Sequence, residues 1–368
     1  MFLKNIHLSD FKNYPGSTLD FSPVANVFIG KNGSGKTNLL EAIHYLSFTK
    51  GFAGTSDTQN IRHGCQHFSL HGELVSNGTT NQLGCQVHRG VKKVFLENGQ
   101  EYQKLSAHIG KYPLVLIMPD DTDLVREGNE LRRKFFDAMI SQLDGDYLRD
   151  LIQYHHLLKQ RNAMLRLFQE KKKVDGDLLE AYDHGLTPLG NVLFKKRGAF
   201  IQSFLPVFTE YFNFLVRGEE QTSVAYGSTL AEEDFGVGLK RSRSRDLLMG
   251  RTLVGIHRDQ FNFHLEGQDL KVTGSQGQRK TFVMALKLAQ WDILQKNKGF
   301  KPLLLLDDIF DKLDDYRIVR MLALIHRGVG QLFITDARPD RTQALLHQIN
   351  VEASVFLIDR GTVENGKR

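Results

Sequence analysis

The segment Gly30-Lys31-Asn32-Gly33-Ser34-Gly35-Lys36-Thr37 limits what this chain can be more than any other feature. It fits G-x-x-x-x-G-K-[ST], and its flanks supply the context that pattern needs. Val24–Ile29 is a compact apolar strand running into the first glycine. Leu39, Leu40, Ile43 and Leu46 then recur at helical spacing, so Lys36 to about Phe48 reads as an amphipathic helix. Glycines at 30, 33 and 35 let the backbone wrap phosphates with its N–H groups turned inward. The helix behind them aims its positive dipole end at the same phosphates. Lys36 is expected to place a point charge on the β/γ-oxygens, and the Thr37 hydroxyl to ligate Mg²⁺.

A phosphate loop alone serves kinases, GTPases and motor ATPases alike. Two further segments narrow the choice. Leu303-Leu304-Leu305-Leu306-Asp307-Asp308 is an apolar strand delivering two acids at its carboxyl end, where ligands of open α/β sheets sit. Asp307 is expected in the Mg²⁺ coordination shell, and Asp308 is placed to orient or deprotonate an attacking water. Ser275-Gln276-Gly277-Gln278 opens a helix reaching to about Gln295, with Ser275 as a natural N-cap. It precedes the two acids by about 30 residues, and Asp311-Lys312-Leu313-Asp314 follows them.

Between these landmarks the periodicity changes twice. Residues 65–118 read as strands over Phe68–Leu74, Leu83–His88, Val91–Leu96 and Leu114–Ile117. From about Asp121 to Val216 the pattern is helical, with one stripe through Leu151, Tyr154, Leu158, Arg161 and Leu165. A second stripe runs from Leu178 through Leu193 to Phe208, and Lys171–Asp177 marks the turn between two antiparallel helices. Strand patterns resume at Thr252–Ile256, Phe261–Leu265, Leu332–Thr335 and Val355–Ile358.

The bulk numbers exclude several classes. No apolar run approaches the ~20 residues needed to span a bilayer, and the first residues carry no secretory apolar stretch. Two cysteines, Cys65 and Cys85, make no disulfide framework and fit a reducing cytoplasm. A net charge of +6 permits contact with nucleic-acid phosphates. Basic clusters at Lys171–Lys173, Lys195-Lys196-Arg197 and Lys240-Arg241-Ser242-Arg243-Ser244-Arg245 are the places to expect it. In the last of these, Lys240, Arg241, Arg243 and Arg245 are spaced to track a phosphate backbone without reading bases.

Phosphate loop, S-x-G-Q, paired acids and the L-D segment, in that order, resemble the ABC ATPase superfamily. Within it the chain resembles the RecF family of bacterial recombination mediators, which act at gapped DNA. The resemblance spans essentially the whole chain, through Leu8–Tyr14 (LSDFKNY), Leu131–Asp150, Leu158–Leu165, Gly255–Asp259 (GIHRD) and Ser275–Thr281 (SQGQRKT). It implies an α/β fold: an ABC-type P-loop ATPase core with a strand-rich flank and a helical lid insert. The core would be split over residues 1–120 and 250–368, with the lid at 121–249. It implies that Ser275–Gln278 of one copy completes the γ-phosphate site of a second, so that ATP drives a homodimer. It places Asn13 at the nucleotide and names RecR and RecO as partners upstream of RecA, with DNA as the substrate and no membrane.

The sequence departs from the family pattern in places. Ile256 stands where proline is usual, and Ala53 where an arginine is common. Met118–Asp121 holds no glutamine, and Thr335-Asp336 no switch histidine. The alternative from another class is the nucleotide-binding subunit of an ABC membrane transporter.

Overall fold

The computed structural model describes residues 1–52, 54–216, 220–308, 319–320, 330–338 and 352–365. Strands are numbered along the chain: β1 Phe2–Phe11, β2 Tyr14–Asp20, β3 Ala25–Ile29, β4 His67–Ser76, β5 Thr79–His88, β6 Val94–Glu97, β7 Gln100–Glu101, β8 Leu114–Ile117, β9 Thr222–Gly227, β10 Gln260–Leu265, β11 Gln268–Asp269, β12 Leu303–Asp307, β13 Leu332–Asp336, β14 Ala353–Asp359 and β15 Thr362–Asn365. The α-helices are α1 Lys36–Phe48, α2 Asp123–Arg126, α3 Asn129–Leu143, α4 Gly145–Lys171, α5 Gly176–Leu215, α6 Phe235–Met249, α7 Leu270–Thr273 and α8 Gln276–Lys298. The chain divides into two compact units, one of Met1–Thr122, Tyr211–Gly218 and Lys280–Arg368, the other of Asp123–Glu210 and Glu219–Arg279.

The first unit holds two six-stranded sheets. One is antiparallel, in the order β2-β1-β4-β5-β6-β7. Its strands alternate buried and exposed residues, as His67–Ser76 does, because only one face meets the core. The other follows the order β15-β14-β3-β13-β12-β8 and is parallel except at β15. Its central strands are buried throughout, which accounts for the unbroken apolar run Leu303–Leu306. Helix α1 contributes Leu39, Ile43 and Leu46 to one apolar cluster shared with Leu8 and Phe68 of the first sheet and Phe28 and Phe333 of the second. The phosphate-loop strand β3 and the acid-bearing strand β12 both pair with β13, which lies between them.

The second unit is mainly helical, with a small sheet β11-β10-β9. Tyr147 pairs with Arg197 while Arg161 pairs with Asp183, so α4 and α5 run antiparallel as the sequence indicated. Two arginines are core residues here. Arg161 binds Asp183 and Asp246, each at 2.7 Å, and Arg197 binds Asp137 at 2.8 Å and Asp259 at 2.7 Å. The cluster Lys195-Lys196-Arg197 therefore divides: Lys195 is exposed, Lys196 pairs with Asp144, and Arg197 is buried.

Two expectations need correction. Thr252–Ile256 is not a strand; its alternating apolar residues Val254 and Ile256 plug the helical core from a loop. Residues 250–279, expected with the nucleotide core, cluster with the helices instead, since Thr252 bonds Asn162 and Arg161 and Asp259 bonds Arg197. Among the described residues, no helix is long and apolar enough to cross a membrane.

Candidate nucleotide-binding site

The phosphate loop leaves the carboxyl end of β3 between β13 and β14, and its shape is fixed by close contacts. A Cβ on Gly30 would run into the Ile358 carbonyl, so only glycine fits. Gly33 and Gly35 take positive φ, at 79° and 118°, and Gly35 caps α1. The loop is braced from behind. Asn13 donates its amide to the Ser34 carbonyl at 2.9 Å and accepts from Asn38 at 2.8 Å. Tyr14 Oη donates to the Gly35 carbonyl at 3.0 Å, and the Gly361 N–H to the Ser34 carbonyl at 3.0 Å. Asn13, expected at the nucleotide, is thus engaged with the loop that would hold it.

In front of the loop the charged groups converge. Lys36 is buried and donates to the carbonyls of Gly30 (2.7 Å) and Lys31 (3.0 Å). Burial pushes its ammonium below the usual lysine range, and the carboxylates of Asp308, Asp307 and Asp336 oppose that shift. Thr37 Oγ1 lies 3.0 Å from each carboxylate oxygen of Asp307. Burial raises the Asp307 carboxyl above the usual range, while hydrogen bonds from Thr335 and Thr37 and the charge of Lys36 hold it down. Asp308 follows with φ 47°, a left-handed conformation costly for a residue with a Cβ. Thr335, between them on β13, donates to Asp307 Oδ1 at 2.7 Å and accepts the Asp308 N–H at 2.9 Å. In the sequence, Thr335 stands out only as part of a segment without a switch histidine. Its signal was a hydroxyl residue closing an apolar strand.

These groups suit a magnesium–nucleoside triphosphate. Ser34 Oγ is buried at the loop with no hydrogen-bond partner among the described residues, next to exposed Lys31, Asn32 and Gly33. Among the described residues no cluster of three or more His, Cys, Asp or Glu could hold a metal. One carboxylate and one hydroxyl fit the way Mg²⁺ is bound, through few protein oxygens plus phosphates.

The second unit carries Ser275–Gln278 at the start of α8. Ser275 Oγ accepts from the Gln278 N–H at 3.2 Å, and Gln278 Oε1 accepts from the Ser275 N–H at 2.9 Å, a reciprocal capping box. Gln278 Nε2 reaches Glu220 at 3.0 Å. Ser275 and Gln276 are exposed, and Gly277 is half-buried at the tip.

Other expected residues are less gathered. Lys240 pairs with Glu180 at 3.4 Å, Arg241 with Glu233, and Arg243 with Asp183 at 3.1 Å, while Arg245 is exposed. That run is partly neutralised by its own unit. In the Met118–Asp121 segment, which lacks a glutamine, Asp121 accepts the Met118 N–H and pairs with Lys287 at 2.8 Å. Ala53 and Asp311–Asp314 lie outside the described residues.

Comparison with known proteins agrees with this geometry. The family described as "RecF/RecN/SMC N terminal domain" matches residues 2–357. The DNA replication and repair protein RecF of Cytophaga hutchinsonii is 44% identical over 99% of this chain and 97% of its own. That of Flavobacterium johnsoniae is 42% identical, covering 97% and 99%. A solved structure of the recombination mediator protein RecF with ATP, in the RecFOR pathway, superposes with a TM-score of 0.89 at 29% identity, over all of this chain and 98% of that one. An Smc head domain from Pyrococcus furiosus shares the fold at TM-score 0.56 and 16% identity. The transporter-subunit alternative is overturned by these full-length matches to DNA-repair proteins. The chain belongs to the RecF family of DNA replication and repair proteins, a branch of the SMC-like ABC-type ATPases.

Proposed function

We propose that this ATPase acts as a DNA-bound switch in which two copies close around shared ATP. Gly30, Lys31, Asn32, Gly33, Ser34 and Gly35 cradle the phosphates, and Lys36 neutralises the β/γ-oxygens. Thr37 and Asp307 hold Mg²⁺, which supplies further charge neutralisation there. Asp308 orients the attacking water. Ser275-Gln276-Gly277-Gln278 of the second copy presents its helix tip to the γ-phosphate. The observation that carries this reading is the meeting of Lys36, Thr37 and Asp307 in front of a glycine-built loop. The exposed, capped tip at Ser275 supports the shared site, because an anion receptor in that state needs no unfolding to be used.

The ATP-closed dimer holds duplex or gapped DNA through phosphate contacts, with Lys171–Lys173, Lys195, Lys240, Arg241 and Arg245 the exposed members of the basic clusters. RecR and RecO are its partners in the cytoplasm, and loading of RecA at single-strand gaps is the outcome. The name of the solved RecF structure, a recombination mediator in the RecFOR pathway, supports this assignment.

Light scattering tests it. With a non-hydrolysable ATP analogue and Mg²⁺ the apparent mass of the wild type should double. Lys36→Met should bind nucleotide poorly and stay single, and Ser275→Arg should bind nucleotide yet stay single. A wild type that remains single at saturation would overturn the reading.

A further inference from the structure

We infer that Thr335 is a positioning residue for hydrolysis, aligning both acids of the β12 end through one hydroxyl. The inference rests on the ATPase reading above and adds to it a group that never touches nucleotide. Strand β13 lies between the phosphate-loop strand and the acid strand, with Thr335 opposite Asp307 on one side and Phe28 on the other. Thr335 is fully buried. Its single hydroxyl does two jobs: it donates to Asp307 Oδ1 at 2.7 Å and accepts the backbone N–H of Asp308 at 2.9 Å.

Both jobs bear on the reacting groups. Thr37 also donates to Asp307, but that hydroxyl must turn its lone pairs outward to ligate a metal. Thr335 is then the hydroxyl that keeps the Asp307 carboxylate turned toward the loop. The Asp308 backbone sits at φ 47°, which disfavours a residue with a Cβ, and the bond from its N–H to Thr335 supports that conformation and so the direction of its side chain. Groups behind a metal ligand typically change affinity or activity by about 10–100-fold when removed.

The test separates the hydroxyl from the packing. Thr335→Val keeps the shape and loses the hydroxyl, whereas Thr335→Ser keeps the hydroxyl and loses a methyl. The inference expects valine to lower kcat by about 10–100-fold with nucleotide affinity in EDTA close to wild type, and some fall in melting temperature because the buried Asp308 N–H loses its bond to Thr335. Serine should retain kcat within about threefold while melting lower. Equal loss in both variants, or full activity in valine, would overturn it. If valine fails to fold, Thr335→Ala against Thr335→Ser, which differ by one oxygen, gives the same comparison. A wild type that hydrolyses no ATP would instead sink the parent reading, leaving the melting and binding comparison of the variants to stand alone.

Discussion

At the scale of single residues, the acid pair and the buried arginines make the sharpest statements. Asp308 is one methylene shorter than glutamate and starts from a left-handed backbone, so its carboxylate reaches less far toward a water at the γ-phosphate. Asp308→Glu should therefore raise the single-turnover rate; an unchanged or slower rate would show that reach does not limit hydrolysis. In the helical unit, buried Arg197 neutralises the buried Asp259 and the largely buried Asp137. Arg197→Met leaves two buried carboxylates without their cation and should cost about 3–5 kcal/mol in a urea titration. A loss below about 1 kcal/mol would mean that the acids find protons or other partners. Arg197 shows how a basic run misleads. In sequence, Lys195-Lys196-Arg197 looks like one solvated cluster, yet helical spacing turns the third residue inward onto acids 60 and 62 residues away in the chain.

At the scale of elements, the phosphate loop was legible because the residues that form it are contiguous: a strand, three glycines and a helix in immediate succession. The capping box at Ser275 and Gln278 was legible for the same reason. What surrounds the loop was not, since it depends on strand order. Sequence cannot show that β13 inserts between β3 and β12, and without that order Thr335 has no reason to meet Asp307. Thr252–Ile256 read as a strand because alternating apolar residues look alike whether they line a sheet or fill a helical core from a loop. The glycine contacts give a prediction at this scale. Gly30→Ala drives a methyl into the Ile358 carbonyl of β14, so the strand end must shift. Fluorescent-ATP affinity should fall by an order of magnitude or more, roughly the effect of losing 1.4 kcal/mol of binding, while the far-ultraviolet circular dichroism spectrum stays that of the wild type. Unchanged affinity would show that the β14 contact does not set the loop.

At the scale of the whole molecule, both units bury neutral imidazoles. Burial holds His44 down to about 3 and His108 to about 4 in the first unit, and His257 to about 4 in the second. Each ring nitrogen nearest a carbonyl is satisfied there, His44 by Lys50, His108 by Leu46 and His257 by Thr252. Their folded values lie below the unfolded value near 6.5, so between about pH 6.5 and 4 the unfolded chain binds more protons. Their contribution is therefore complete above pH 6.5 and declines as pH falls toward 4, by roughly 1 kcal/mol per pH unit for each imidazole. Melting temperature should drop steadily from pH 7 to pH 5, and His108→Gln should flatten part of that slope. A flat profile would mean that these rings keep their ordinary affinity for protons.

The brace behind the phosphate loop ties together distant stretches of chain. The Ser34 carbonyl is held by Asn13 from one side and by the Gly361 N–H from the other, and Gly361 sits at the tip of the last hairpin. During synthesis, the glycine segment emerges early but waits for more than three hundred further residues before its second fastening exists. Nascent chains halted before residue 361 should fail to retain nucleotide on ribosomes, while chains released after the hairpin should capture it. The ability to hold ATP would then depend on chain made more than three hundred residues after the loop itself.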